Sequence, residues 1–468
     1  MPKIVKLILV ALFTGIINSV YSLDFIIPDN LSNKVSFVIS DPQSQNIICS
    51  YRESAPQLIA SNMKIVTSYV AIQQLGESFN WTTKLTYQGK IKHGTLYGNL
   101  YLIGSGDPTL SSQKISQALT KIKQRGIHKI MGNLVIDSSV FNQIAPSSEL
   151  SPEPLAEYSV EPNGLIIDDN LSQIKLKIHK HKVILQPQEN ALDAKYVNQL
   201  RLDIANKSNC DDPSDYITAT KNESNVTLQG SIPSSCNNQN YSIYLAKPFN
   251  YNSRIISKLL KQQQIKLSGT IIAQNAPQDV ITLENISSAN LYQVLQHMNQ
   301  TSDNLEAKTL LLSLGAYKTS NQATYLQGKE LYLATLAQKF DFPELANLEN
   351  GAGLSRYEKL SAGHINQLLT AIYQSPESNA FIDTLPTPTQ KNTTLQSSFT
   401  QYAKQLYVKT GSLSDTQAYS GYFKAQNGKT YVVVALANQI ESGVQGKSEL
   451  RQFKNLFSQI LDELNHIQ

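Results

Sequence analysis

The sequence predicts a mixed α/β (α+β) fold in which one domain is interrupted by a strand-rich insert. Strand-like runs lie near both ends of the chain, helical patterns lie between them, and a region of short strands follows the first helix. We therefore expect a discontinuous domain over 23–80 and 249–468. The insert, over 81–248, is expected to form one or two small β-rich domains.

The first part of the domain is predicted to be an antiparallel hairpin followed by a helix. Strand-like runs at 35–39 and 46–51 flank a turn-rich stretch, and this arrangement is typical of a hairpin. Apolar residues then recur at helical spacing from Ser61 to about Leu75, and Gly76 is a residue type that commonly ends a helix. The pattern therefore places Ser61 at the N-terminus of a helix.

The insert and the C-terminal half differ in their predicted secondary structure. Short strand-like runs separated by Gly, Asn and Pro characterise the insert, at 96–103, 134–136 and 174–185. Helical patterns follow at 253–264, 291–298, 304–317 and 329–339. Three strands with hairpin-length gaps come next, at 406–409, 418–424 and 430–437. A final amphipathic segment, 450–464, is acidic near its end and is expected to pack on the core rather than on a membrane.

Composition limits the functional classes. The chain has 468 residues, of which 41% are hydrophobic and 16% charged, so it can bury a substantial core. The formal charge is +4, and removal of Lys3 and Lys6 with a leader would leave 38 basic against 36 acidic residues, or +2. Such a small charge does not indicate binding to nucleic acid. Histidines and cysteines show no zinc-ligand spacing, so no metal or cofactor is expected.

The N-terminal segment predicts export. Residues 1–22 combine a positive start with an apolar run of 14 residues, 7–20, which is typical of a secretory signal and short for a membrane-spanning helix. An uncleaved anchor is the alternative. In an oxidising compartment Cys210 and Cys236 are a candidate disulfide. Cys49 lies in a strand-like run and is expected to be a buried thiol.

The segment Ser61-Asn62-Met63-Lys64 has the form S-x-x-K. Residues three apart share one helix face, so the Lys64 amine can lie beside the Ser61 hydroxyl. If the site is desolvated, the pKa of Lys64 falls, and the neutral amine can take the hydroxyl proton as serine attacks a carbonyl. The pattern alone is weak, because it recurs at 111–114 and 172–175, where a capping serine and a solvated lysine would explain it.

Two further motifs follow in order along the chain. Residues 302–304, Ser-Asp-Asn, have the form S-x-N, which by itself indicates a helix N-cap. Residues 409–411, Lys-Thr-Gly, occur once and close a strand, where glycine lets a ligand or another backbone approach. The ordered set S-x-x-K, S-x-N and K-T-G is the motif set of penicillin-binding proteins and class A β-lactamases.

The spacing resembles one branch of this group. Ser61 and Ser302 are 241 positions apart (302 − 61). This gap resembles the D-alanyl-D-alanine carboxypeptidase/endopeptidase family, the class C low-molecular-mass penicillin-binding proteins of peptidase family S13, which carry two extra domains between these motifs. The segments 104–110, 351–356 and 409–413 look like further motifs of that family. The resemblance implies a transpeptidase-like domain with an antiparallel five-stranded sheet flanked by helices.

The resemblance also implies roles for the motif residues. Ser61 would be the acylated nucleophile and Lys64 its general base. Ser302 would relay a proton to the leaving group, Asn304 would bind the substrate amide, and Lys409 would tune Ser302 electrostatically. Which group acts as base in each step is left open.

Substrate recognition is implied for a second group of residues. Beside Gly411, the hydroxyls of Thr410 and Ser412 would bind the terminal carboxylate of the substrate, and the N–H groups of Ser61 and Ser412 would form the oxyanion hole. A further set would bind the free end of the diaminopimelate side chain: Glu153, Tyr158, Arg356, Leu413 and Ser414. A structural ion pair is the alternative for Arg356, and a solvated loop acid is the alternative for Glu153. The family often has Asp where Glu153 stands, and it has Thr and Gly where Asn62 and Ser105 stand.

The implied activity is that of a periplasmic serine DD-peptidase. It would cleave terminal D-Ala-D-Ala and also D-Ala-diaminopimelate cross-links in peptidoglycan stem peptides, and β-lactams would acylate it. A serine β-lactamase and a cell-wall binding protein with a decayed site are the alternatives. Peripheral association with membrane or wall, and docking of other wall enzymes to the insert, are left open.

Overall fold

The computed structural model describes residues 26–143, 153–192, 194–210, 212–222, 225–319 and 323–467. The signal peptide predicted over 1–22 lies outside the described residues. Among the described residues, no helix is both long and apolar enough to cross a membrane.

A five-stranded antiparallel sheet forms the centre of the discontinuous domain. Its strands lie in the order Ile47–Tyr51, Val35–Ser40, Thr430–Asn438, Thr416–Lys424 and Leu406–Leu413. The central strands are buried on both faces, so they read as continuous apolar runs rather than as alternating ones. The strand Leu406–Leu413 lies at one edge of this sheet and carries the K-T-G segment there.

Helices cover both faces of the sheet. Val432, Val434 and Leu436 point to one face, which packs against the helix Met63–Leu75 and its neighbours. The intervening side chains point to the other face, which packs against the C-terminal helix Gly443–His466. The remaining α-helices of this layer are Leu291–Thr301, Asn304–Thr319, Tyr325–Ala337, Ala362–Tyr373 and Ser378–Ile382.

The insert is built from three sheets. A seven-stranded sheet contains Asn80–Lys92, Thr95–Ile103, Lys129–Ile130, Leu134–Asp137, Lys266–Leu267, Ile271–Ala273 and Ile281–Asn290. Two three-stranded sheets contain Ser172–His179, Lys182–Pro187 and Asn240–Ile243, and Lys195–Asp203, Ile217–Lys221 and Asn225–Pro233. Helices Ser112–Gln124 and Pro248–Gln262 pack in the same hydrophobic core. A disulfide joins Cys210 to Cys236 in this core.

Short elements complete the chain. Two-stranded pairings join Gln57–Leu58 to Lys359–Leu360 and Phe141–Gln143 to Ala323–Thr324. Single 3-10 turns lie at Asp29–Leu31, Ala60–Asn62, Glu157–Ser159, Asp168–Asn170, Pro213–Asp215, Ser234–Cys236, Pro343–Asn347 and Thr400–Tyr402.

The predicted fold class and hairpin are confirmed, and Gly76 ends the first helix with φ +79°. The chain from 249 to 290, expected in the discontinuous domain, instead packs and pairs with the insert. The reason is physical: an amphipathic helix shows which face it buries but not against which core.

Candidate active site

The first motif forms a tight turn that enters the helix Met63–Leu75. Ala60–Asn62 is a 3-10 turn, and Ala60 holds a left-handed conformation with φ +47°. Ser61 is partly exposed, whereas Lys64, one helical turn further on, is fully buried. The hydroxyl therefore faces a cleft while the amine approaches it from inside the protein.

The Lys64 amine has three polar neighbours. Its Nζ lies 3.1 Å from Ser61 Oγ, 2.7 Å from Asn304 Oδ1 and 2.8 Å from the carbonyl oxygen of Ala352. A neutral amine has two N–H donors and one lone pair. The Asn304 and Ala352 oxygens can only accept, so they take the two hydrogens, and the lone pair is left to accept from the Ser61 hydroxyl. The contacts thus fit the neutral form of lysine.

Burial makes the uncharged form of the Lys64 amine accessible near pH 7. It lowers the pKa of Lys64 to about 7 from an ordinary value of 10.5, although the nearby carboxylate of Asp303 acts in the opposite direction. Desolvation of a charged ammonium is the physical cause. Lys64 can therefore accept a proton at neutral pH, where an exposed lysine would already be protonated.

The second motif lies at the junction of two helices. Ser302 follows the helix Leu291–Thr301 in a left-handed conformation with φ +65°, and Asn304 begins the next helix. Lys409 Nζ lies 3.0 Å from Ser302 Oγ and 2.8 Å from the carbonyl oxygen of Thr410. Lys409 is fully buried, and burial together with Lys64 lowers its pKa well below the ordinary value. The three motifs therefore meet at one place.

Two glycines allow this close approach. A Cβ at Gly353 would lie 1.9 Å from Ala60 O, and a Cβ at Gly411 would lie 2.8 Å from Ile59 O. Both positions also come within about 3 Å of Ser61 N. The turn with Ser61 is thus held between the K-T-G strand and the loop around Gly353 by direct backbone contact.

A cleft of about 360 Å³ opens in front of the two serines, and its lining is mostly polar. It is lined by Ser61, Ser302, Thr394, Leu395, Ser398, Thr410, Ser412, Gln417 and Tyr419. Thr410 Oγ1 lies 2.7 Å from Thr394 Oγ1, and Ser412 Oγ lies 3.0 Å from Gln417 Oε1. The hydroxyls expected to bind a carboxylate therefore already have protein partners.

The five expected recognition residues fall in two places. Arg356 donates to Ser414 Oγ at 2.8 Å and pairs with Asp415 at 2.5 Å, beyond the end of the K-T-G strand, where Leu413 is the last residue. Glu153 and Tyr158 instead line a pocket of about 410 Å³ that Ser302 and Asn304 also line. The ion pair with Asp415 is the structural alternative that the sequence left open for Arg356.

The second pocket is strongly acidic. Glu157, Asp169 and Asp303 line it, and burial, followed by the charge of Asp303, raises the pKa of Asp169 to about 8 and that of Glu157 to about 7. Nearby, His297 Nδ1 and Glu306 Oε2 are 3.0 Å apart. With Asp303 they form the one group, among the described residues, whose ligand atoms are close enough to hold a metal ion. The hydrogen bond with Glu306 raises the pKa of His297 to about 9, and burial raises the pKa of Glu306 to about 8.

Sequence reasoning missed the residue that organises the loop behind Lys64. Glu358 is buried, and its carboxylate accepts from the backbone N–H groups of Glu349, Asn350, Gly351 and Gly353. This loop supplies the Ala352 carbonyl to Lys64. A glutamate that ends up inside a loop has no periodic signature, and only its position just after the 351–356 motif could have drawn attention to it.

A comparison with protein families identifies the chain. The model of the D-Ala-D-Ala carboxypeptidase 3 (S13) family matches residues 21–461. The chain belongs to this family. As an S13 member it is a hydrolase of the serine class.

Two proteins named D-alanyl-D-alanine carboxypeptidases are similar to this chain over most of their length. D-alanyl-D-alanine carboxypeptidase DacB from Haemophilus influenzae is 24% identical over 442 residues, covering 92% of this chain and 91% of that protein. D-alanyl-D-alanine carboxypeptidase from Actinomadura sp. strain R39 is 24% identical over 415 residues, covering 84% and 75%.

Solved structures show the same fold. Penicillin-binding protein 4 (dacB) from Haemophilus influenzae superposes with a TM-score of 0.75 at 23% identity, covering 91% of this chain and 96% of that chain. The same protein has been solved with a β-lactam bound. A predatory peptidoglycan endopeptidase from Bdellovibrio bacteriovorus gives a TM-score of 0.52 at 16% identity, covering 92% of both chains. The S13 fold with its inserted sheets is therefore shared.

Proposed function

We propose that the protein is a serine DD-peptidase that cleaves D-Ala-D-Ala termini of peptidoglycan stem peptides through an acyl-enzyme on Ser61. The observation that carries the proposal is the 3.1 Å contact between Ser61 Oγ and a fully buried Lys64 amine. A serine becomes a nucleophile when an adjacent base takes its proton, and burial supplies that base here.

Acylation of Ser61 is the first step of the proposed reaction. The Ser61 hydroxyl proton passes to Lys64 Nζ as Oγ bonds to the carbonyl carbon of the penultimate D-Ala. The carbonyl oxygen becomes an oxyanion held by the backbone N–H groups of Ser61 and Ser412. The C–N bond to the terminal D-Ala then breaks, the leaving amine takes the hydroxyl proton of Ser302, and Ser302 recovers a proton from the Lys64 ammonium, which returns Lys64 to its neutral form. Water afterwards hydrolyses the ester and regenerates the serine.

Substrate binding is assigned to the polar lining of the cleft. With its Oδ1 engaged by Lys64, Asn304 keeps its amide N–H groups for a substrate carbonyl. Thr410 and Ser412, with Gly411 between them, would bind the terminal carboxylate, and Lys409 would hold Ser302 in position. Glu153, Tyr158, Arg356, Leu413 and Ser414 remain the proposed contacts to the diaminopimelate side chain.

The same machinery accounts for two further activities in the proposal. A D-Ala-diaminopimelate cross-link presents an equivalent amide, so the enzyme would also act as an endopeptidase. Penicillins present a strained amide beside a carboxylate, so they would acylate Ser61. The predicted signal peptide would place these reactions in the periplasm.

The deciding experiment is the intact mass of the protein before and after a short incubation with benzylpenicillin, beside a Ser61→Ala control. One long-lived adduct in the native protein and none in the control is the expected result. No adduct with unconsumed penicillin would favour a decayed binding protein. Rapid consumption of penicillin without a lasting adduct would favour a β-lactamase. The untreated mass would show whether the mature chain begins near Leu23.

A further inference from the structure

Gln417 is a side chain of the cleft that has no role in the proposed reaction. Gln417 lies in the strand Thr416–Lys424, directly across the sheet from Ser412 in the K-T-G strand. It lines the cleft together with Ser61 and Ser302, and Ser412 Oγ lies 3.0 Å from its Oε1. Gln417 is partly buried, and Ser412 is exposed. Its terminal amide is therefore the protein partner of a hydroxyl that faces the substrate.

The geometry creates a conflict for the proposed carboxylate site. A serine hydroxyl has one hydrogen to donate. In the free protein that hydrogen goes to Gln417 Oε1, which is an acceptor. A substrate carboxylate accepts only, so Ser412 must turn its hydrogen away from Gln417 before it can bind the carboxylate. The lone pairs of Ser412 then face Gln417, and they need a donor.

A glutamine resolves this conflict because its terminus carries both kinds of group. Rotation of the amide replaces Oε1 by Nε2, whose N–H can donate to Ser412 Oγ while the serine hydrogen points at the substrate. Thr410 has an equivalent arrangement, since its partner at 2.7 Å is the hydroxyl of Thr394, which also donates or accepts. Both substrate-facing hydroxyls are thus paired with groups that can reverse direction.

We propose that Gln417 determines specificity for a free terminal carboxylate, by switching from acceptor to donor toward Ser412 when the carboxylate binds. The inference rests on the proposed DD-peptidase function. It assigns recognition of the terminal carboxylate of the substrate in part to a residue outside the three motifs. It is a positioning role, because Gln417 acts on the carboxylate through Ser412.

The test compares two peptides that differ only at the terminus: diacetyl-L-Lys-D-Ala-D-Ala and its C-terminal amide. The measured quantity is the ratio of kcat/KM for the acid to kcat/KM for the amide. Gln417→Glu keeps the shape but can only accept and adds a negative charge, so the ratio should fall at least about tenfold. Gln417→Met removes the donor and the acceptor and adds no charge, so the carboxylate complex loses the N–H that Ser412 Oγ needs and the ratio should fall about fivefold, the effect of one neutral hydrogen bond.

The matched control is Gln426→Glu, which adds the same charge at an exposed position beyond the other end of the same strand. It should leave the ratio unchanged. A ratio within twofold of the native value in either folded Gln417 variant would overturn the inference, and each variant decides it alone. A merely structural role would lower both kcat/KM values equally and leave the ratio constant. If the native protein cleaves neither peptide, the proposed function fails instead.

Discussion

Gly353 is the position where one added methyl group should disable the site. Its φ is +86°, and a Cβ there would lie 1.9 Å from Ala60 O and 2.9 Å from Ser61 N. These atoms belong to the turn that presents the nucleophile, so Gly353→Ala must push the turn and the loop apart. Reaching 3.0 Å from Ala60 O, the lower limit for real Cβ contacts, requires a movement of about 1.1 Å.

The expected loss is about 100-fold in the acylation rate, because a misplacement of about 1 Å at a reacting group typically has that effect. Alanine at positive φ adds backbone strain of about 1 kcal/mol, which lowers stability independently of the clash. The chain offers a control that separates the two effects. Gly428 has φ +83°, and a Cβ there would meet no atom within 4 Å. Gly428→Ala carries the strain without the clash.

The assay is the second-order rate constant for acylation by a fluorescent penicillin, measured on protein whose folded fraction is known from circular dichroism. Gly428→Ala should acylate at the native rate and lose about 1 kcal/mol of stability. Gly353→Ala should acylate about 100-fold more slowly in its folded fraction. If Gly353→Ala acylates within threefold of Gly428→Ala, this backbone contact does not position Ser61.

Three further predictions concern the surroundings of the nucleophile. Because burial lowers the pKa of Lys64 to about 7, the acylation rate should rise as pH increases through 7 and level off above it, and a stopped-flow pH profile checks this. Glu358→Gln should lower the free energy of unfolding by about 2 kcal/mol and slow acylation, whereas Glu441→Gln at an exposed site should do neither. Urea titration measures the stability of both variants, and the fluorescent penicillin measures their acylation rates. Replacing Cys210 and Cys236 by alanine removes a disulfide between positions 26 residues apart and should lower the free energy of unfolding by about 3 kcal/mol. The acylation rate of the folded protein should be unchanged.

Elements next to the site were predictable because their signals are local. The helix Met63–Leu75 shows its period and its terminal glycine within 15 residues, and the strand Leu406–Leu413 begins with an apolar run. The segment from 249 to 290 was assigned to the other part of the molecule. Its strands Lys266–Leu267 and Ile271–Ala273 have two and three residues, too few to show a period or a partner.

The site was predictable to the extent that its groups are side chains in known motifs. Lys64 could be placed beside Ser61 by helix geometry alone, and their contact agrees with that expectation. The Ala352 carbonyl could not be found in this way, because a backbone oxygen has no residue identity. Glu358 reaches the site because it folds back on the loop 349–353, and Gln417 reaches it because its strand pairs with the K-T-G strand opposite Ser412. Local sequence spacing predicts neither contact.

The two buried lysines impose a constraint on the proposed reaction. Lys64 and Lys409 are both fully buried, and each lies about 3 Å from one of the two serines. Two ammonium groups would repel strongly where water is excluded, and burial lowers the pKa of both amines, so the protein disfavours the charged form of Lys64. A proton taken from Ser61 therefore makes Lys64 a cation in a position that disfavours it. In the proposed reaction, that proton would move on through Ser302 to the leaving amine, whose protonation would allow the scissile bond to break.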